Sequence, residues 1–272
     1  MLEIPLSLLL LSPSLPPARG EDEPPPPDPA LVEAAAGRLA SAYAAGEESE
    51  IVAALRAARA VVAPPVIDEV AKGLKRKSEA VRDGALAALR WMDHPSAVDA
   101  LHDAYLRNRA FATDDAAMAA LLKAIGQHGD PRSLKVLTDH PFQPTDFRAV
   151  QARILGLGRI RTNAALEATV EMMNKAGGVR RGGDQRLLGE FRLTLVVLTG
   201  TDQGPRHDDW IAWWNEHKRT FEVATELPDV PRELRRRWFE YWEIPDPRAP
   251  RRGDREGRGG GERGGGGDAD GG

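Results

Sequence analysis

The chain has 272 residues, 42% of them hydrophobic, and a formal net charge of -4. A chain of this length can bury a sizeable core, and its near-balanced charge argues against a strongly basic nucleic-acid binder. It holds no cysteine, which excludes disulfides, thiolate metal sites, cysteine nucleophiles and a lipid-modified cysteine.

In chain order, Ile4-Pro5-Leu6-Ser7-Leu8-Leu9-Leu10-Leu11 comes first. This apolar run is too short to span a bilayer but suits the core of a secretory signal, and Ala18-Arg19-Gly20 offers small residues for cleavage. Residues 1–20 are therefore expected to be a signal peptide, and the protein exported, periplasmic or extracellular. Glu3 and the absence of Lys or Arg before the run keep a cytoplasmic chain as the alternative. Residues 21–29, EDEPPPPDP, favour extended polyproline II and read as a stiff linker.

From residue 30 to about 200 the apolar residues recur at helical spacing, and no convincing strand pattern interrupts them. Helices are expected near Pro29–Ala45, Ser49–Val62, Pro65–Lys75, Ser78–Met92, Pro95–Arg109 and Thr113–His128. Further ones follow near Pro131–Asp139, Thr145–Gly158, Asn163–Ala176 and Asp184–Leu198. Ser78 and Thr113 are plausible N-caps. Within Ala119–Leu137, Leu121, Leu122 and Ile125 form one stripe, Gly126 and Gly129 are expected to end the helix, and Asp130-Pro131 to restart it. The same arrangement returns around Pro64, Pro95 and Asn163 at offsets of about 31, 36 and 32 residues, the range of helical-repeat solenoids.

These residues resemble the HEAT-repeat family. The likeness rests on Ser78-Glu79-Ala80-Val81-Arg82-Asp83-Gly84-Ala85-Leu86-Ala87-Ala88-Leu89, similar to the family's second helix. It rests also on Ala124-Ile125-Gly126-Gln127-His128-Gly129-Asp130-Pro131, similar to its inter-repeat turn. The resemblance implies an all-α fold: an α-solenoid of stacked antiparallel helix pairs, used as a binding scaffold, with no single chemistry attached. The stretch Leu198–Trp214 is similar to a closing element of exported bacterial HEAT-like proteins, which implies no activity.

Five of the six tryptophans fall in residues 201–244. Trp210, Trp213, Trp214 and His217 share one helical face, and Leu234, Trp238, Tyr241 and Trp242 share another in a helix begun by Pro231. This Trp-rich segment is expected to form a helical cap over the open end of the repeats. The alternative is an aromatic binding platform built on Trp210, Trp213 and Trp214. Residues 245–272, rich in Gly, Arg and Asp, cannot bury apolar surface and read as a disordered tail.

Candidate chemistry is sparse. Lys175, Arg180, Arg181 and Arg186 flank the glycines Gly177-Gly178 and Gly182-Gly183, where guanidiniums could grip phosphate or carboxylate groups. His207-Asp208-Asp209, and His128 with Asp130, are better explained by capping and first-turn charge than by metal binding or catalysis, and Asp99, His102 and Asp103 could meet on one helix but show neither the positioned partner nor the pocket that a general base needs. No catalytic residue, metal site or cofactor is nominated. The expected function is a non-catalytic scaffold that binds a protein or extended polymer on the concave solenoid face or the aromatic cap. No nucleic-acid partner and no transmembrane span are expected, and the oligomeric state is left open. The alternatives are an enzyme working from the groove, as HEAT-like bilin lyases do, and a nucleic-acid binder like the HEAT-like DNA glycosylases.

Overall fold

The structure is a computed structural model that describes residues 26–177 and 185–249. The expected signal peptide, the tail beyond residue 249, and Arg180 and Arg181 lie outside the described residues. Within them the chain is all-α, with thirteen α-helices and no strand.

Helices α1 (Pro29–Ala45), α2 (Glu48–Ala58), α3 (Pro64–Gly73), α4 (Glu79–Leu89) and α5 (Pro95–Arg107) come first. Next are the short α6 (Arg109–Ala112), α7 (Asp115–His128), a 3-10 turn at Pro131–Ser133 leading into α8 (Leu134–Thr138), and α9 (Phe147–Arg159). The chain continues with α10 (Asn163–Gly177), α11 (Gln185–Thr199), α12 (His207–His217) and α13 (Arg232–Trp242).

Local chemistry accounts for most boundaries. The Asp28 carboxylate caps α1 by accepting from the Ala30 amide at 2.9 Å, Pro29 supplies the pre-set φ, and Gly46 closes the helix at φ 81°. Ser78 caps α4 through the Val81 amide, as its position suggests. The cap of α7 is Asp114 rather than Thr113: the Asp114 carboxylate accepts from the amides of Ala116 and Ala117, while the Thr113 hydroxyl donates back to the Arg109 carbonyl. Carboxylate oxygens take those first-turn donors more strongly than a hydroxyl does.

Gly126 departs from expectation. It lies inside α7, and Gly129 (φ 63°) alone closes the helix. A β-carbon on Gly126 would stand 2.8 Å from Gly156 Cα and 2.9 Å from Cη2 of Trp242. The glycine is there because two helices cross at backbone distance.

Contacts follow two successions. One runs α1 to α3 to α5; the other runs α2 to α4 to α7 to α9 to α11, and α10 meets α8, α9, α11 and α12. The buried apolar side chains form one continuous cluster from Ala35 to Trp242. Arg153, buried at 2% exposure, ties α9 into it by donating to the carbonyls of Val136, Leu137 and Gln143 and to the Tyr105 hydroxyl.

Candidate functional site

The last helix is where aromatic, cationic and anionic side chains converge, because α13 lies across the face made by α4, α7, α9 and α11. Its apolar stripe sets this up: Leu234, Trp238 and Trp242 recur every four residues and are all buried. Trp238 meets α9 at Gly158, where a β-carbon would come within 2.8 Å of its ring. Trp242, 0% exposed, meets Gly126 of α7, and the Arg159 guanidinium lies 5.7 Å from its ring centre. Each indole thus fits where a helix lacks a side chain.

Charges hold α13 at its middle and at its C-terminal end. At the middle, Arg237 Nη2 donates to Glu190 Oε1 of α11 at 2.9 Å, and Glu190 is 4% exposed. Burial pushes the Glu190 carboxyl above its ordinary pKa, an effect the Arg237 charge opposes. At the C-terminal end, Glu243 accepts from Lys123 Nζ at 2.7 Å and from Arg90 Nη1 at 3.1 Å. The hydrogen bond from Lys123, joined by the Arg90 charge, holds the Glu243 carboxyl below its ordinary range. Arg90 Nη2 also donates to the Trp242 carbonyl and to Gln127 Oε1. Arg90 Nε, Arg159 Nε and the Trp242 indole N–H are buried in this seat without a hydrogen-bond partner among the described residues, each at a cost.

Beside Glu243 a furrow of about 260 Å³ opens between α4 and α7. Leu86, Ala87, Ala117 and Ala120 floor it, Glu79, Arg82, Asp83 and Asp114 line one end, and Arg90 and Lys123 line the other. Burial raises the Asp83 pKa, the neighbouring carboxylates of Glu79 and Asp114 add to the rise, and the Arg82 charge opposes it.

Of the residues singled out from sequence, Lys175, Trp210, Trp213 and Trp214 make their contacts elsewhere. Lys175 is exposed and pairs with Glu171 at 2.8 Å, one turn back on α10. Arg186 falls at the start of α11, and Arg180 and Arg181 are outside the described residues. Trp210 is buried at 2% exposure with its indole N–H donating to the Gly204 carbonyl, so it offers no platform surface. Trp213 and Trp214 remain half-buried, Trp213 stacked on His217 at 4.8 Å and edge-on to Phe221. The seat residues Arg90, Lys123, Arg159 and Glu190 carry no motif; their one trace in the sequence is a set of charges interrupting apolar helix faces.

The other polar groups pair separately. Asp99 binds Arg132, Asp103 binds Arg107, and His102 Nε2 lies 2.9 Å from the hydroxyl of fully buried Ser133. His207 contacts Asp208 and Asn174. No group of three metal-capable side chains forms among the described residues.

His128 Nε2 donates to the Leu89 carbonyl at 3.1 Å. Burial lowers the pKa of His128 and of His102 from 6.5, with the Arg132 charge adding at His102. The unfolded chain therefore binds protons at these sites before the folded one does. Their contribution to stability is intact above the unfolded value of 6.5 and is lost as pH falls toward the lower folded values. The midpoint of thermal unfolding should drop from pH 7 to pH 5, and His128→Gln should shallow that drop. An unchanged slope in the variant would show that His128 does not drive it.

No protein-family model matches this chain, and no curated protein matches it. No helix among the described residues is long and apolar enough to cross a membrane.

Proposed function

We propose that this chain is an exported α-solenoid of HEAT type that works without catalysis, binding a protein along the furrow between α4 and α7. The observation that carries this reading is the helix succession, in which each member of the α2–α4–α7–α9–α11 series packs on the next. Helix pairs stacked in this way bury a continuous core and leave an extended face of side chains for a partner. The end of the stack, in this reading, is closed by α12.

Mixed charge supports a protein partner over a nucleic acid. The carboxylates of Glu79, Asp83 and Asp114 at one end of the furrow would repel a phosphate backbone. Its alanine floor would accept side chains of a polypeptide.

The test is site-specific photocrosslinking from the exposed positions Ala87 and Ala120 in the furrow, with exposed Glu171 on α10 as the control. A discrete protein adduct from the furrow and none from Glu171 is expected. Adducts only from Glu171 would move the interaction surface to the other side, and their complete absence would withdraw the scaffold reading. Mass spectrometry of the mature N-terminus checks export, which requires cleavage near Gly20.

A further inference from the structure

We infer that the hollow between α3, α5 and α6 is a binding site for a phosphate group carried on an apolar body. It is built on the α1–α3–α5 succession, whereas the furrow lies between α4 and α7, so the two sites stand or fall separately.

Three observations carry it. The first is charge gathered from three segments. Lys75 just after α3, Arg107 in the last turn of α5 and Arg109 at the start of α6 line a cavity of about 280 Å³. Asp103, the one carboxylate in that lining, lies 3.1 Å from Arg107 Nη1 and 3.8 Å from Lys75 Nζ, so it offsets one positive charge and leaves two. The neighbouring cations are engaged elsewhere: Lys72 pairs with Glu69, and the Arg76 guanidinium lies 4.6 Å from the Tyr43 ring centre. The Arg109 guanidinium has no ion pair or hydrogen bond among the described residues. Cations where α3 and α5 end answer the negative ends of those helices. Arg109 opens a helix, so that account leaves it out.

The second is a fixed frame. Asn108 joins α5 to α6; its Nδ2 donates to the Leu74 carbonyl at 2.6 Å, and its Oδ1 accepts from the Ala110 amide at 3.0 Å. The Arg109 carbonyl accepts from the Thr113 amide at 3.1 Å and from its hydroxyl at 3.0 Å, and Phe111 anchors α6 in the core. The backbone that carries the three cations is thus set before a ligand arrives, which lowers the cost of ordering it on binding.

The third is the lining. Ala71, Leu74, Ala100 and Ala104 put an apolar floor beneath the charged rim. Leu106, three residues after Asp103 on α5, stands 69% exposed beside that rim. A bare anion would use the rim alone, whereas an anion on an apolar body uses rim and floor together. A phosphomonoester brings close to two negative charges and three acceptor oxygens near neutral pH, which matches two unopposed charges and donors from three directions. A carboxylate brings one charge and leaves a guanidinium unanswered.

The test is calorimetric titration of the full chain. Phenyl phosphate should bind saturably with a Kd below about 1 mM, more tightly than inorganic phosphate, and benzoate should not bind. Arg109→Gln, at an exposed side chain, should weaken phenyl phosphate at least about 10-fold. Ala100→Leu fills the floor and keeps every charge, so it should reduce phenyl phosphate to the level of inorganic phosphate. Arg56→Gln, exposed on α2, should change nothing, and circular dichroism checks that each variant is folded. Sedimentation with phosphatidylcholine vesicles containing phosphatidate separates the two sources of such a phosphate. Binding to vesicles that Leu106→Ser and Arg109→Gln both abolish places it on a lipid; vesicle binding that survives them, or none, places it on a soluble molecule. No binding of phenyl phosphate, equal binding of benzoate, or an affinity unmoved by Arg109→Gln would overturn the inference.

Discussion

Replacing Arg153 with leucine is expected to remove about 3–5 kcal/mol of stability, the range for losing one member of a buried polar network. Arg153 Nη1 lies 2.6 Å from the Val136 carbonyl and 3.3 Å from that of Leu137, both near the C-terminal end of α8. A helix as short as α8 keeps few of its own hydrogen bonds, so its last carbonyls need an outside donor. Nη2 reaches the Tyr105 hydroxyl of α5 at 3.1 Å and the Gln143 carbonyl at 3.2 Å. One guanidinium therefore ties α5, α8, the connection after it and α9. Leucine would pack in part of the volume but leave three carbonyls without this donor. Lysine, a point donor on a flexible stem, should recover less than half of the loss. For a chain of this size the change corresponds to roughly 10 °C in the unfolding midpoint. Urea and thermal unfolding followed by near-ultraviolet circular dichroism measure it. A loss below about 1 kcal/mol would mean that water replaces the guanidinium at those carbonyls.

Arg153 also shows where sequence reasoning stops. Helix positions were legible because their signals are local: Asp28-Pro29 and Gly46 bracket α1, and Ser78 marks the start of α4. The choice between Thr113 and Asp114 is local too, and the carboxylate prevails on strength. An arginine amid Val150, Ile154 and Leu157 looks like a solvent-facing interruption, because its four acceptors come from segments 10 to 48 residues away. The seat of α13 is hidden for the same reason. Lys123 and Glu243 are separated by 120 residues, and Arg90 and Glu243 by 153. The i, i+4 spacing of Trp238 and Trp242 announces a buried face but not what buries it. The interior glycines were the available clue, since a glycine costs about 1 kcal/mol in a helix relative to alanine and stays where something must approach closely. The pattern of the sequence makes Gly126 look like a terminator because Gly129 follows so soon, and only the crossing with Gly156 separates their roles.

That separation predicts two different failures from one kind of substitution. Gly126→Val should destabilise the whole fold by about 3–5 kcal/mol, at and beyond the upper end of overpacking costs. The first new atom would stand 2.8 Å from the Gly156 α-carbon, backbone of α9 that cannot rotate aside, with the Trp242 ring at 2.9 Å on another side. α7 and α9 must move apart, and the joint between them lies in the middle of the helix succession. Gly158→Val meets side chains instead, Trp238 at 2.8 Å and Thr194 Cγ2 at 3.2 Å. The ring belongs to α13, so the cheaper response is for α13 to lift while the helices beneath it stay in place. Global unfolding of that variant should shift by about 1–2 kcal/mol. Its tryptophan emission should move to longer wavelength, and trypsin should reach Arg235, Arg236 and Arg237 under conditions that leave the unaltered chain intact. Both variants press on a tryptophan of α13, but only Gly126→Val also presses on backbone. Equal losses in unfolding free energy, with α13 equally resistant to trypsin, would place α13 inside the same cooperative unit as α7 and α9 and deny it an independent release.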